Sequence, residues 1–141
     1  MMSTSGCAGG RAGPSDPVAP EGVLAPCPAS PNCVSSDAGD EAHRVDAISI
    51  SGDVAAAWAA AREVVAALPR TTIVVSDDAY LHAECRSRLF RFVDDLELAL
   101  RSERGEIAVR SASRIGHSDL GVNRARVEEI RSVLRTRGAS R

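Results

Sequence analysis

The sequence predicts an α+β fold, with one antiparallel sheet of about five strands and two helices packed on one of its faces. Three observations carry this. Between residues 71 and 113, short segments place apolar side chains at every second position, the period of a strand with one covered face. After Asp53 and again after Asp119 the apolar spacing switches to that of a helix. The 141 residues are 44% apolar, enough for one core, and contain no apolar run of the roughly 18 residues that a membrane-crossing helix needs.

Taken in order, Val45, Ala47, Ile48 and Ile50 suggest a first short strand that ends at Ser51-Gly52. Asp53 is placed to cap a helix running to Leu68, where Pro69 stops it. Val54, Trp58, Ala61, Val65 and Leu68 recur at helical spacing, which makes Trp58 the anchor of that face. Thr71–Ser76 is a β-branched strand, followed by a turn at Asp77-Asp78. Tyr80–Arg88 puts Leu81, Ala83 and Cys85 on one face and Tyr80, His82, Glu84 and Arg86 on the other. Asp95–Arg101 likewise sets Leu96, Leu98 and Leu100 against Asp95, Glu97, Ala99 and Arg101. Glu103-Arg104-Gly105 then turns into Glu106–Ser113, whose Ala108, Arg110, Ala112 and the following Arg114 share a face. A helix from about Leu120 to Arg137, capped by Asp119, closes the order β-α-β-β-β-β-α. Leu120, Val127, Ile130 and Leu134 form its stripe, and Arg131 and Arg135 its plain surface. The polar faces of the strands are expected to meet solvent.

All 17 basic residues are arginine, and the net charge is −2. With Ala, Gly, Pro and Val also plentiful, arginine is the default base of a GC-rich coding sequence. Geometry, not abundance, must pick out a special one. Residues 1–78 hold four arginines and ten acids, residues 79–141 thirteen arginines and nine acids. An acidic front can dock on a basic rear within one fold, or the rear can face an anionic partner. The near-neutral total and 3% aromatic content speak against nucleic acid as a partner.

Residues 1–26 read as a disordered Gly/Ala/Ser/Pro tether, residues 27–138 as one domain, and 139–141 as a tail. Within the tether, Thr4-Ser5-Gly6-Cys7-Ala8-Gly9-Gly10 resembles the cleavage site of a bacterial lipoprotein, which makes Cys7 a candidate for lipidation. The hydrophobic stretch expected before such a site is not in Met1–Gly6. The expectation is a cell-envelope protein, exported or lipid-anchored, if the true start lies upstream, and a cytoplasmic one otherwise. The membrane enters only through that anchor. Cys27-Pro28-Ala29-Ser30-Pro31-Asn32-Cys33 reads as a turn-rich loop. Its two cysteines admit a disulfide, free thiols, or a metal shared with His43, although one His after C-x5-C is not a zinc spacing. No metal and no cofactor is expected.

Three separated blocks carry a resemblance: Ser30–Ser36, Phe92–Asp95, and Arg110–Arg114 continuing through Gly121–Arg124. Over roughly residues 26–137 the chain resembles the domain of unknown function 1499 family. That family has no established activity, so the resemblance implies little about chemistry. It does imply bacterial and plastid relatives that often carry an N-terminal membrane or export segment.

The candidate ligand-binding residues are Arg86, Asp94, Asp95, Arg110, Ser111, Ser113, Arg114, Asp119, Asn123 and Arg124. Alternation puts Glu84 and Arg86, Asp95 and Glu97, and Arg110 and Arg114 on one face. There they form either exposed cross-strand ion pairs or a groove for an anion, with Ala108 and Ala112 leaving room for it. Asp94 points inward beside Leu96 and must find an arginine or backbone donors. Asn123 lies on the apolar stripe of the last helix. It either caps carbonyls of the Gly116–Asp119 turn or joins Asp94 and an arginine in a buried polar pocket. Catalysis is disfavoured: His117, Ser118 and Asp119 are adjacent in sequence, and Asp94 and Asp95 point to opposite faces. The expectation is a non-catalytic cell-envelope binding or accessory module, with an arginine-lined site for a small anionic ligand or an envelope protein. The alternatives are an enzyme of unknown reaction using Asp94, Asp95 and the Arg110–Asn123 region, or a structural and interaction domain.

Overall fold

The computed structural model describes residues 23–88, 92–116 and 118–141. Cys7 and most of the expected tether, together with His117, lie outside the described residues. The elements run β1 (Cys33–Ser35), β2 (Ile48–Ser49), α1 (Val54–Ala67), β3 (Thr71–Ser76), β4 (Tyr80–Arg86), β5 (Val93–Arg101), a 3-10 turn at Ser102–Arg104, β6 (Glu106–Ser113) and α2 (Val122–Thr136). The sheet is ordered β1-β6-β5-β4-β3, and β2 shares the outer edge of β6 with β1. All strand pairs are antiparallel.

The fold class is therefore as expected, α+β, with six strands in place of about five. The added strand is β1, which pairs Cys33 with Ala112 and Ser35 with Arg110. Three residues behind two prolines are too short to leave a visible alternation. The first expected strand shrinks to Ile48–Ser49, because Val45 instead gives its N–H to the Ser35 carbonyl. Residues 139–141 are not a loose tail: Ser140 bridges Ile50, and the Arg141 N–H donates to the Ser49 carbonyl.

Helix α1 forms as the spacing predicts. Asp53 accepts from the Ala56 N–H at 2.8 Å, and buried Trp58 donates its indole N–H to the Asp77 carbonyl at 3.0 Å. Helix α2 starts two residues later than expected. Leu120 and Gly121 adopt left-handed backbones with φ of 54° and 80°, and Leu120 faces solvent rather than the core. The stripe of α2 is Asn123, Val127, Ile130 and Leu134. Arg131 corrects a second expectation: it is buried, because its guanidinium donates to the carbonyls of Asp46 and Ala47 and pairs with Glu128. Arg135 is exposed as expected.

Both helices cover the sheet face that carries Leu81, Ala83, Cys85, Leu96, Leu98, Ile107 and Val109, and this is the core. The opposite face departs most from expectation. Its polar side chains do not meet solvent: Asp95, Glu97 and Arg110 are each 0% exposed. A strap formed by residues 24–33 lies against it. Leu24 packs on Ala99 and Ala108, and the Pro26 carbonyl accepts from Arg110. The sheet is thus covered on both sides, with an apolar layer beneath the helices and a charged one beneath the strap.

Candidate functional site

The charged layer follows from the strand register. Glu97 on β5 stands directly opposite Arg110 on β6, and their side chains meet at 3.3 Å. Tyr80 on β4 reaches diagonally past Ala99 to donate its hydroxyl to Glu97 at 2.7 Å. One row along, Asp95 faces Ala112, a small partner that lets Arg114 fold back over it. Arg114 holds Asp95 through Nε and Nη2, each at 2.8 Å, and Glu84 at 2.7 Å. His82 meets the same carboxylate at 2.7 Å. Arg86 sits 3.6 Å from Glu84 at the half-exposed margin. Burial pushes the Asp95 carboxyl up, but Arg114 and His82 outweigh it and hold the group below the usual carboxylate range. Burial beside Glu97 pushes the Tyr80 phenol well above its ordinary value.

The ion pairs expected on this face therefore exist, but Arg110–Glu97 is fully buried while the pairs of Glu84 stay at the half-exposed margin, and that burial changes the energetics of the inner pair. An exposed pair contributes little, whereas a fully desolvated one stands or falls with its partner. The room that Ala108 and Ala112 leave is occupied as well, by Leu24 and by the cross-strand neighbour Cys33. Cys33 joins Cys27 in a disulfide with Cα atoms 5.7 Å apart, which replaces the thiol and metal alternatives for that pair. The disulfide ties the strap to β1, over the charged layer. His43 serves the same region: its ring nitrogens meet Asp40 at 2.6 Å and the Ser30 carbonyl at 2.9 Å. Beside the strap lies a cavity of about 420 Å³, lined in part by Val23, Leu24, Pro26, Ser35 and Asp37.

A second polar network lies on the helix side. Asp94 points inward as expected, and Arg126 of α2 meets it at 2.8 Å. Arg126 also donates to Ser111 at 2.9 Å and to Asn123 at 2.8 Å. The Asn123 amide nitrogen donates to Ser113, to the Asn32 carbonyl and to Asp119. Asn123 does not cap carbonyls of the 116–119 turn. Asn32 does that, donating to the Gly116 carbonyl at 2.6 Å. Asp119 accepts from the Gly121 and Asn123 N–H groups, so it caps α2 from outside the first turn. Burial pushes its carboxyl up, but these donors prevail and keep it low.

The ten candidate residues thus separate. Asp95, Arg110 and Arg114, with Arg86 at the rim, lie on the strap side; Asp94, Ser111, Ser113, Asp119 and Asn123 lie on the helix side, with the sheet between. Arg124 stands apart, donating to the carbonyls of Ala42 and Arg44. Sequence reasoning missed Arg126, Asn32, Tyr80 and His82 as partners. The spacing of Arg126, three residues beyond Asn123 on one helix face, was the available signal. His82, Glu84 and Asp95 bring ligand atoms within 4.8 Å of one another, the grouping that a divalent cation uses. Here the Arg114 guanidinium supplies the positive charge between the two carboxylates. Among the described cysteines, Cys85 is free and buried, and burial pushes its thiol up.

Two outcomes follow from this geometry. Arg110→Ala should cost about 3–5 kcal/mol in denaturant unfolding, because buried Glu97 loses the positive charge that faces it. The double change Arg110→Met with Glu97→Leu should recover most of that loss. The second outcome concerns pH. Hydrogen bonding from Arg101, at 2.6 and 2.8 Å, lowers the Asp37 carboxyl below its ordinary 3.8. A lowered carboxylate contributes stability that is fully present above its unfolded value and is lost as pH falls through its folded one. Arg101→Gln should therefore lose about 1 kcal/mol or less at neutral pH. The difference from wild type in acid titrations of stability should close below pH 3.8.

No curated protein and no solved structure matches the chain. One family model does, over residues 23–134, a span that begins one residue before the strap and ends in α2. Its description is Protein of unknown function (DUF1499). The match covers most of the chain and every element that builds the two polar networks, and the chain belongs to the DUF1499 family.

Proposed function

We propose that this chain is a non-catalytic accessory module of the bacterial cell envelope, working in an oxidising compartment and engaging its partner through its surface. The observation that carries this reading is the Cys27–Cys33 disulfide, which pins the strap over the charged layer. Disulfides persist in exported proteins and are rare in a reducing cytosol. The polar groups support the non-catalytic part. Asp94 and Asp95 stand on opposite faces of the sheet, so they are no acid–base pair. Arg110 and Glu97 are sealed from solvent, and both ring nitrogens of His43 are engaged. An anionic ligand arriving at this module meets Arg86 and Arg114, whose side chains are 37% and 39% exposed, rather than Arg110.

Alkylation of thiols in intact producing cells, followed by mass mapping, tests the reading. Cleavage after arginine leaves Cys27 and Cys33 together in the peptide between Arg11 and Arg44. That peptide should stay unlabelled until it is reduced. Prompt labelling of both cysteines without reductant would overturn the assignment to an oxidising compartment.

A further inference from the structure

The two edges of the sheet are finished differently. Along the outer side of β6 lie two short strands, β1 of three residues and β2 of two, and Arg44 between them bridges Ser35. Short, interrupted strands of this kind offer little template to another chain. The opposite edge is β3, Thr71–Ser76, six residues with neither a charge nor a proline. Among the described residues no strand pairs with its outer side, and Val74 and Val75 are 51% and 36% exposed. An uncharged, β-branched edge of this length is one that proteins ordinarily blunt unless it is used.

The hydrogen bonds to β4 fix which backbone groups of β3 point away from the sheet. The Arg70 carbonyl accepts from the Arg86 N–H, and the Asp77 N–H donates to the Tyr80 carbonyl. A bulge at Val74 shifts the register between them, from Ile73 opposite Ala83 to Val75 opposite His82. Alternation counted inward from each end then turns the N–H and carbonyl of Thr71, Ile73 and Ser76 outward. Open donors and acceptors therefore stand near both ends of the strand, with Val74 and Val75 between them.

This edge is complementary to itself. With two copies antiparallel about a two-fold axis, Thr71 of one faces Ser76 of the other, and the two residues exchange backbone hydrogen bonds. The same register sets Ile73 against Val74 at the centre and Arg70 against Asp77 at both ends. Arg70, Asp77 and Asp78 are all exposed, and among the described residues none of the three has an ion-pair partner within the chain. Their positions are fixed at the ends of β3: Arg70 Nε donates to the Arg86 carbonyl, and the Asp77 carboxylate accepts from the Ala79 and Tyr80 N–H groups. A segment of another protein would have to carry a matching order of charges, whereas a second copy carries it by symmetry. The uncharged strand between the ends brings no like charges together.

We propose that two copies of this chain pair β3 to β3, antiparallel about a two-fold axis, so that one sheet runs through both. The pairing does not depend on the compartment in which the protein works. Sedimentation velocity of the full chain over a range of concentrations is the test, and it should show a monomer–dimer equilibrium. Val74→Lys, a charge placed on the edge, should raise the dissociation constant about tenfold or more. Arg70→Glu should raise it about threefold or more. Thermal unfolding of both variants should match wild type at concentrations where wild type is monomeric. Cross-linking reads the register, because Thr72 of one copy faces Val75 of the other in a non-hydrogen-bonded pair, close enough for a disulfide. In chains carrying Cys7→Ser, mild oxidation of a mixture of Thr72→Cys and Val75→Cys proteins should give a covalent dimer that neither gives alone. A wild-type chain that stays monomeric, a folded Val74→Lys variant that dimerises as well as wild type, or a mixture that yields no covalent dimer would overturn the proposal and leave the edge to a strand of a different protein.

Discussion

Arg110 and Glu97 face each other across β6 and β5 with no solvent contact, and a charge pair in that position constrains everything around it. Two ions taken out of water are tolerated only where each has close, well-directed partners. Glu97 therefore needs Tyr80 as a second donor, and Arg110 needs the Pro26 carbonyl as a second acceptor. The latter requirement reaches furthest. It calls for a length of chain that crosses the sheet face, and that chain must be held there. The disulfide from Cys27 to Cys33 does the holding, since Cys33 belongs to a strand paired with β6 itself.

The helix-side network is the counterpart of this arrangement. Asn32 sits at the junction: its carbonyl accepts from the Ser113 N–H and the Asn123 amide, and its own amide donates to Gly116. One residue before Cys33, it couples the strap to the start of α2. The turn that holds Leu120 outward is thus positioned by the same short segment that carries the disulfide. Asp94 and Arg126 complete the link from β5 to α2. These polar groups are satisfied almost entirely by one another, as a network that specifies packing requires.

Much of this fold was legible in the sequence, and the reason is periodicity. Alternation from Tyr80 to Ser113 gave the three long strands, and Asp53, Trp58 and Pro69 gave α1 with its cap, anchor and stop. Even the inward turn of Asp94 followed from its neighbours. What escaped was the second covering layer. A strand of three residues leaves no alternation, and a pair of cysteines six apart did not say by itself whether they are joined. Without that layer, Glu97 and Arg110 read as surface charge. Arg126 and Arg131 escaped for a related reason: an arginine on a polar helix pattern looks solvated, and only tertiary placement reveals the carbonyls or carboxylate that receive it.

The central claim is that the disulfide-held strap is what keeps the charged layer closed. Hydrogen exchange of the oxidised protein, compared with the same protein after reduction of Cys27–Cys33, tests it most directly. The account predicts faster exchange at the amides of β1 and at Ser113, whose N–H is held by Asn32, while the amides of β4 and the centre of β5 keep their protection. An exchange pattern unchanged by reduction would contradict it, because the strap would then stay in place without its staple.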